Sequence, residues 1–434
     1  MAFPMLVPSH VLGLNGQTSP NNKLNIAGIG IGGMGFSDLR SVATENIVAL
    51  CDVDHNYAAQ AFKKWPQAAR YKDYRVMLGK QKDIDAVLIA TPDHTHAVIS
   101  VAAMQAGKHV YCQKPLTHDV YESRRVAEVA RETGVVTQMG IQMHATEGPR
   151  LICEWIAAGA IGAIRDVDAW CSLSYYPAGH ASWSPKWMRL PKDKMAMPTG
   201  LDWENWIGPQ TMRDYHRAYH PHCWRAWWDF GTGMMGDRGV HTIDSIKWAL
   251  KLGVPQSVSA TCVDNNVDTH PRSAIVTFTF PARGELPPVK LTWYEGQTPP
   301  RPEELEPDRR FGGAQGGILY KGSKGKLMSG YLADGGRIIP ETNMKDFLPN
   351  RPKKTIPRVK GGHHQNWVRA CKGMEKAGAD FQYGAELTEL CLLGNLAKKF
   401  EGNELQWDAR NCKISNYDAA NEWIRRPYRK GWNL

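Results

Sequence analysis

Residues 24–40 read LNIAGIGIGGMGFSDLR. An apolar run at 24–29 leads into glycines at 30, 32, 33 and 35, and a helix-patterned segment follows. This is a strand, a tight turn and a helix. Gly30-Ile31-Gly32-Gly33-Met34-Gly35 fits G-x-G-x-x-G. The overlapping Gly28-x-Gly30-x-x-Gly33 also fits, but it starts the turn too early in the strand. The first glycine allows the turn. The second lets backbone N–H groups approach a pyrophosphate, and the third lets helix and strand pack closely.

The context extends the pattern. NIVALCDVD is a second strand, and its Asp52 stands 20 residues after Gly32. A carboxylate there can accept hydrogen bonds from ribose hydroxyls and would repel a 2′-phosphate, which favours NAD over NADP. Asp54 competes for that role. DIDAVLIATPDHTHAVIS supplies a buried strand at 86–90, a turn and a helix. GKHVYCQKP, then HDVYESRRVAEVARETG, then VVTQMGIQ add a strand, a helix and a sixth strand. Alternating apolar strands and amphipathic helices predict an α/β fold with a doubly wound parallel sheet. Ligands of such sheets bind beyond the carboxyl ends of the strands. Thr91, Pro92, Lys114 and Gln142 fall at such ends, and His94 and His96 flank the turn after Thr91-Pro92. Lys114 is thus carried to the mouth of a crevice, and Pro115 after it disfavours the helical region.

After residue 146 the pattern changes. A helix at GPRLICEWIAAGAIG is followed by strand-like runs at 164–173, 257–264, 273–280, 289–294 and 317–328. Turns and irregular segments separate them, which predicts a large, open, mostly antiparallel sheet with one face covered. Residues 176–228 are rich in Pro, Trp, His and Tyr, and long ordered loops of this kind are usually functional. Helices return at 362–372 and 386–399, and the second is expected to pack back near the first domain. The resulting division is an extension at 1–22, a Rossmann domain at 23–142 and an α/β domain at 143–434.

Within GTGMMGDRGVHTIDSIKWAL, Asp237 and His241 are four apart, on one face of a helix. An aspartate there can hold an imidazole in one tautomer and stabilise its protonated form. Asp244 is also within helical reach of His241.

Composition narrows the classes. The 53 basic and 43 acidic residues leave a charge of +10, but no Lys/Arg block carries it, which argues against nucleic-acid binding. No unbroken apolar run of about 18 residues predicts a membrane span. Nine cysteines without a C-x-x-C pair argue against a disulfide framework or structural zinc. His363-His364 lack a matching carboxylate or cysteine, so no metal site is expected. Sixteen tryptophans, several between 183 and 228, suit flat walls for a ring-shaped polar ligand as well as a large core.

Taken together, Gly30-x-Gly32-x-x-Gly35, Asp52, ATPDHTH at 90–96, GKHVYCQKPL at 107–116 and GDRGVHTID at 236–244 give a chain that resembles the Gfo/Idh/MocA family. The resemblance implies a Rossmann domain, an α/β domain whose open sheet often makes oligomer contacts, tightly held NAD(P), and sugar or cyclitol substrates. Lys114 matches the lysine of the family's E-K-P motif, and Asp237 and His241 match its D-x-x-x-H pair, in which the histidine is the usual proton acceptor. One position departs: the motif's glutamate is Gln113 here, which removes a carboxylate from beside Lys114 and alters how the nicotinamide amide is held. CQKPL, RLICEWIAAGAIG, WWDFGTG and HHQNWVRACKG are similar to an exported bacterial branch that begins with twin-arginine signals. Residues 1–22 resemble the tail of such a signal, so a periplasmic location is expected, with the cytoplasm as the alternative.

The expected function is an NAD-dependent oxidoreductase acting on a sugar, cyclitol or glycoside. Lys114 would stabilise alkoxide character, His241 would act as base and Asp237 would orient it. The expected cofactor site is Gly30, Ile31, Gly32, Gly33, Met34, Gly35, Asp52, Thr91, Pro92, His94, His96, Gln113, Lys114 and Gln142. His144, Tyr176, Trp183, Arg225 and Trp228 are the candidate sugar pocket. A homo-oligomer, dimer or tetramer, is expected through the open sheet. Two rivals stand beside this reading. Some family members oxidise a sugar only transiently, often at C3, eliminate a substituent and reduce the ketone again, so a glycosidase or lyase is one alternative. A dinucleotide-binding sensor or scaffold without turnover is the other.

Overall fold

The computed structural model describes residues 22–174 and 188–434. The first half runs β1 (Asn25–Ile29), α1 (Gly33–Ser41), β2 (Asn46–Cys51), α2 (Ala59–Lys64), β3 (Ala69–Tyr71) and α3 (Tyr74–Lys80). It continues with β4 (Ala86–Ile89), α4 (His96–Gln105), β5 (His109–Gln113), α5 (Val120–Thr133) and β6 (Thr137–Gly140). The six strands are parallel in the order β3-β2-β1-β4-β5-β6. Every residue of β4 is buried, as a strand covered by helices on both faces requires. The order reverses between β1 and β4, which opens a crevice at the carboxyl ends of these strands.

The second half runs α6 (Glu147–Ala157), β7 (Ile164–Cys171), α7 (Trp203–Ile207), α8 (Val240–Leu250), β8 (Ser257–Val263), β9 (Ser273–Phe280), β10 (Val289–Glu295), β11 (Gly316–Gly322) and β12 (Gly325–Gly330). After these come β13 (Arg337–Ile339), α9 (Glu341–Phe347), α10 (Gly362–Cys371), α11 (Phe381–Lys399), β14 (Glu404–Asp408) and β15 (Lys413–Ile414). The second sheet has the order β13-β12-β11-β7-β10-β9-β8-β14-β15, and only β7 and β10 pair parallel. In β9, Ala274, Val276, Phe278 and Phe280 are buried while the residues between them are half-buried. That alternation is the pattern of an antiparallel strand with one covered face.

The expected single run at 317–328 is instead the hairpin β11–β12. Gly325, with φ of +158°, sits where an L side chain is strained. A Cβ at Gly322 would lie 2.0 Å from the Ile161 carbonyl oxygen. The two glycines face each other at the end of the ladder, and Ser323-Lys324 makes the turn between them. The stretch around Asp237 also differs from a simple helix start: Met235–Gly239 form a π-helical turn that feeds α8.

Two helices bind the halves together. Trp367 and Val368 of α10 join the core beneath β1 and α1, and Gln365 donates to the Ser41 carbonyl at 2.8 Å. α11 reaches both sheets. Thr388 accepts from the Leu116 N–H just beyond Lys114. Ten residues on, Lys398, with 0% of its side chain exposed, pairs with Glu295 of β10 at 3.0 Å. A buried pair of this kind is costly to break by removing one partner. It ties the Lys114 strand end to the second sheet. No helix of the described residues is long and apolar enough to cross a membrane.

Candidate active site

The glycine turn is built as its sequence predicts. Gly30 has φ of +74°, and a Cβ there would lie 2.7 Å from the Thr91 nitrogen. A Cβ at Gly35 would lie 1.9 Å from the Gly30 oxygen, so only glycine lets α1 pack against the turn. Asp52 closes the turn from the end of β2. Its Oδ2 accepts from the Ile31 N–H at 2.8 Å and the Gly32 N–H at 3.2 Å, and its Oδ1 accepts from Asp54 N at 2.9 Å. Burial pushes the Asp52 carboxyl up to about 6, against the pull of these three N–H donors. Asp54 is committed elsewhere: Oδ1 accepts from Asn56 and Tyr57, and Oδ2 meets His220 Nε2 at 2.8 Å.

A cavity of about 280 Å³ lies over this turn. Gly30, Gly32, Gly33, Met34, Asp52, Thr91, Pro92, His96, Gln113, Lys114, Arg225 and Asp237 line it. The Tyr57 ring lies on the turn, and a Cβ at Gly32 would be 2.1 Å from it. The opposite wall comes from Trp206 of α7 and from His222 and Trp224 of the excursion between α7 and α8. The Arg225 guanidinium sits 4.2 Å from the centroid of the Trp224 ring.

Lys114 reaches across from β5 into the second half. Its Nζ donates to the Asp237 carbonyl at 2.8 Å and to the Asp237 carboxylate. The Lys114–Pro115 peptide is cis. Burial would raise the Asp237 carboxyl, but Lys114, Arg225 and Arg238 outweigh it and hold Asp237 well below the usual carboxylate range. His96 joins the two strand ends that frame Lys114: Nδ1 lies 2.8 Å from the Pro115 oxygen and Nε2 2.8 Å from the Thr91 oxygen. Gln113 is buried, and its Nε2 donates to Asp38 Oδ2 of α1 at 2.7 Å. Asp38 Oδ1 also meets His364 Nε2 at 2.9 Å.

His241 stands next to this group but does not line the cavity. The Asp237 carboxylate is bonded to Lys114, not to His241 Nδ1. Asp244 accepts instead from Tyr383 and meets His144 Nδ1 at 3.0 Å. His241 Nδ1 is buried with no hydrogen-bond partner among the described residues. Burial, and then the Lys114 charge, lower this imidazole to about 3, so it is neutral at working pH.

Several expected site residues lie elsewhere. His94 is fully buried between the Trp206 and Phe230 carbonyls and touches no cavity wall. Ile31 offers only its N–H, because its side chain is core. Gly35 packs beneath the turn. Gln142 turns away, donating to the Tyr111 hydroxyl. His144 is held by Asp244 and stacks on Trp248 at 4.4 Å. Trp228 packs on His270 at 3.7 Å, away from the cavity. Tyr176 and Trp183 fall outside the described residues. Tyr57, Lys72, Tyr74, Asp93, Asn205 and Trp432 line the cavity and went unread. No local pattern marks them, since they converge from separate elements. Among the described residues no group of three His, Cys, Asp or Glu side chains is placed to hold a metal ion.

Residues 24–141 match the model of the GFO_IDH_MocA oxidoreductase family with its NAD-binding Rossmann fold, and residues 177–282 match that family's C-terminal alpha/beta domain. This chain belongs to the Gfo/Idh/MocA oxidoreductase family. Its first domain is therefore an NAD-binding Rossmann domain, and the glycine cradle and Asp52 fit that cofactor.

Among Gfo/Idh/MocA relatives, an inositol 2-dehydrogenase of Salmonella typhimurium is 32% identical over 140 residues, covering 31% of this chain and 41% of that protein. A levoglucosan dehydrogenase of Pseudarthrobacter phenanthrenivorans is 32% identical over 115 residues, covering 26% and 29%. These matches span less than half of either relative. The fold extends to solved structures. The WlbA dehydrogenase from Bordetella pertussis, in complex with NADH and UDP-GlcNAcA, superposes with a TM-score of 0.61 at 17% identity, covering 89% of this chain and 99% of that one. An inositol dehydrogenase homolog from Azotobacter vinelandii, complexed with NADH and myo-inositol, gives 0.57 at 16% identity, covering 89% and 98%.

Proposed function

We propose that this protein transfers hydride between a hydroxyl-bearing carbon of a sugar, cyclitol or glycoside and NAD. One observation carries the reading. The Lys114 ammonium, from the first sheet, is bonded to Asp237, from the second half, in a cavity that the glycine turn also lines. The named activities of the relatives, on inositol and levoglucosan, support the substrate class.

The chemistry divides among named atoms. NAD, when bound, supplies the hydride acceptor. The glycine turn and Asp52 would hold its pyrophosphate and ribose. Lys114 Nζ presents positive charge where a substrate hydroxyl develops alkoxide character, and its two bonds to Asp237 aim it. His241, neutral and beside Lys114 just behind the cavity wall, is the ring in this reading that would accept the hydroxyl proton. The Arg225 guanidinium over Trp224 offers a planar donor set for vicinal hydroxyls. The half-buried outer residues of β9 support self-association through the open sheet, which light scattering tests directly.

A panel of free sugars and glycosides tests the reading, with ultraviolet monitoring of NADH and mass analysis of products. Stoichiometric NADH from a free sugar is expected. Release of an aglycone without net NADH would replace this reading with transient oxidation and elimination. Bound NAD with no exchange of substrate C–H hydrogen on any sugar would overturn both.

A further inference from the structure

Trp432 lines the same cavity as Asp52 and the glycine turn, although it comes from the far end of the sequence. Strand order says which end of the cavity it closes. Lys114 follows β5, the glycine turn follows β1, Asp52 follows β2, and Lys72, Asp73 and Tyr74 follow β3. A dinucleotide lying across the turn puts its adenosine ribose at Asp52 and its nicotinamide toward Lys114. The base beyond that ribose then faces the β3 side, where Trp432 stands. Its ring lies 6.4 Å from the Tyr74 ring and 4.7 Å from the Arg75 guanidinium.

The segment that carries it is fastened. Tyr428 donates to Glu122 of α5 at 2.5 Å. The Arg429 guanidinium donates to the Gly208 oxygen at 2.6 Å and the Glu204 oxygen at 2.8 Å, and its backbone N–H donates to the Pro209 oxygen at 2.9 Å. Trp432 N donates back to the Arg429 oxygen at 3.2 Å. The strap therefore bridges α5, the α7 turn and the start of α3, and it ends in a half-buried indole at the cavity wall.

We propose that residues 428–432 form the adenine subsite of this protein, with Trp432 as its aromatic wall and Arg429 as the fastening that positions it. The inference rests on the NAD reading above. A purine is flat, and aromatic side chains bind such bases by stacking or edge contacts. Because the wall is pinned to three elements, it is preorganised, and binding costs little ordering.

Calorimetric titration of NAD, ADP-ribose and nicotinamide mononucleotide against the wild type, Trp432→Ala, Trp432→Phe and Arg429→Ala tests it. Trp432→Ala should weaken ADP-ribose and NAD roughly 10-fold and leave nicotinamide mononucleotide unchanged, which also reports that the variant is folded. Trp432→Phe should recover most of the loss, and Arg429→Ala should weaken ADP-ribose in the same selective way. Wild-type affinity for ADP-ribose in Trp432→Ala, or equal weakening of all three ligands, would overturn the subsite. A wild type that binds neither NAD nor ADP-ribose would overturn the dinucleotide reading itself, and the subsite with it.

Discussion

The Lys114 ammonium is bonded twice to one residue, Asp237, through the carbonyl oxygen and through the carboxylate. Only 15% of the lysine side chain and 7% of the aspartate side chain are exposed. Removing one partner from such a pair leaves an uncompensated charge. Asp237→Ala should therefore cost about 3–5 kcal/mol of stability, read as a shift in the urea midpoint. A loss below about 1 kcal/mol would place the pair with the weak surface type. The depressed Asp237 value sets the sign with pH: its contribution is complete above about 4 and is lost as pH falls below that.

Gln113 and Asp38 form a buried amide–carboxylate contact at 2.7 Å. A carboxylate only accepts, so Asp38 fixes Nε2 inward and leaves Oε1 for the Lys114 N–H at 3.3 Å. Gln113→Glu would set two carboxylates together in the core and should destabilise by roughly 2 kcal/mol. Asp38→Asn should restore a donor–acceptor pair. A double-mutant cycle with additive single effects would contradict this.

His241→Ala should cut turnover by about 10²–10⁴-fold while NAD affinity stays unchanged. The imidazole at about 3 means that, with NAD saturating so that Asp52 is already engaged, the kcat/KM profile for the sugar should stay flat from pH 7 to pH 5. A protonation limb near 6.5 would show a base with an ordinary histidine value and would count against the assignment.

His96 faces two carbonyl oxygens, which a doubly protonated ring satisfies and a neutral ring cannot. Burial opposes the charge, but Cys112, Asp93 and the Pro115 carbonyl outweigh it and raise His96 to about 9. The folded value thus lies above the unfolded one. Its stabilisation, at most roughly 3 kcal/mol, is complete below about 6.5 and is lost as pH rises through 9. His96→Gln should be more damaging at pH 6 than at pH 10 in thermal melts. Equal losses at both values would mean the ring is neutral.

The strand, turn and helix of 24–40 were legible because short-range spacing decides them: Gly30 needs its positive φ, and Gly35 needs to lack a side chain. The parallel and antiparallel halves were legible for the same reason, since periodicity separates strands covered on two faces from strands covered on one. The hairpin at 322–325 is legible in the same way, because KGSKGK at 321–326 is a polar, glycine-bearing turn signal between two apolar runs.

Site membership was a different matter. Lys114 and Asp52 line the cavity because a strand end delivers each of them. His94, His144, Gln142 and Trp228 carry equally suggestive chemistry, yet distant partners claim them: the Trp206 carbonyl, Asp244, the Tyr111 hydroxyl and His270. The amino-acid order by itself determined which backbones form and which strand ends face the crevice, since those follow from local sterics and hydrophobic period. Only tertiary packing decided that Asp237 would meet Lys114 instead of His241, and that Trp432 would close the wall beyond Asp52. Such contacts join residues hundreds of positions apart, and their geometry exists only once α11 has locked the two sheets together.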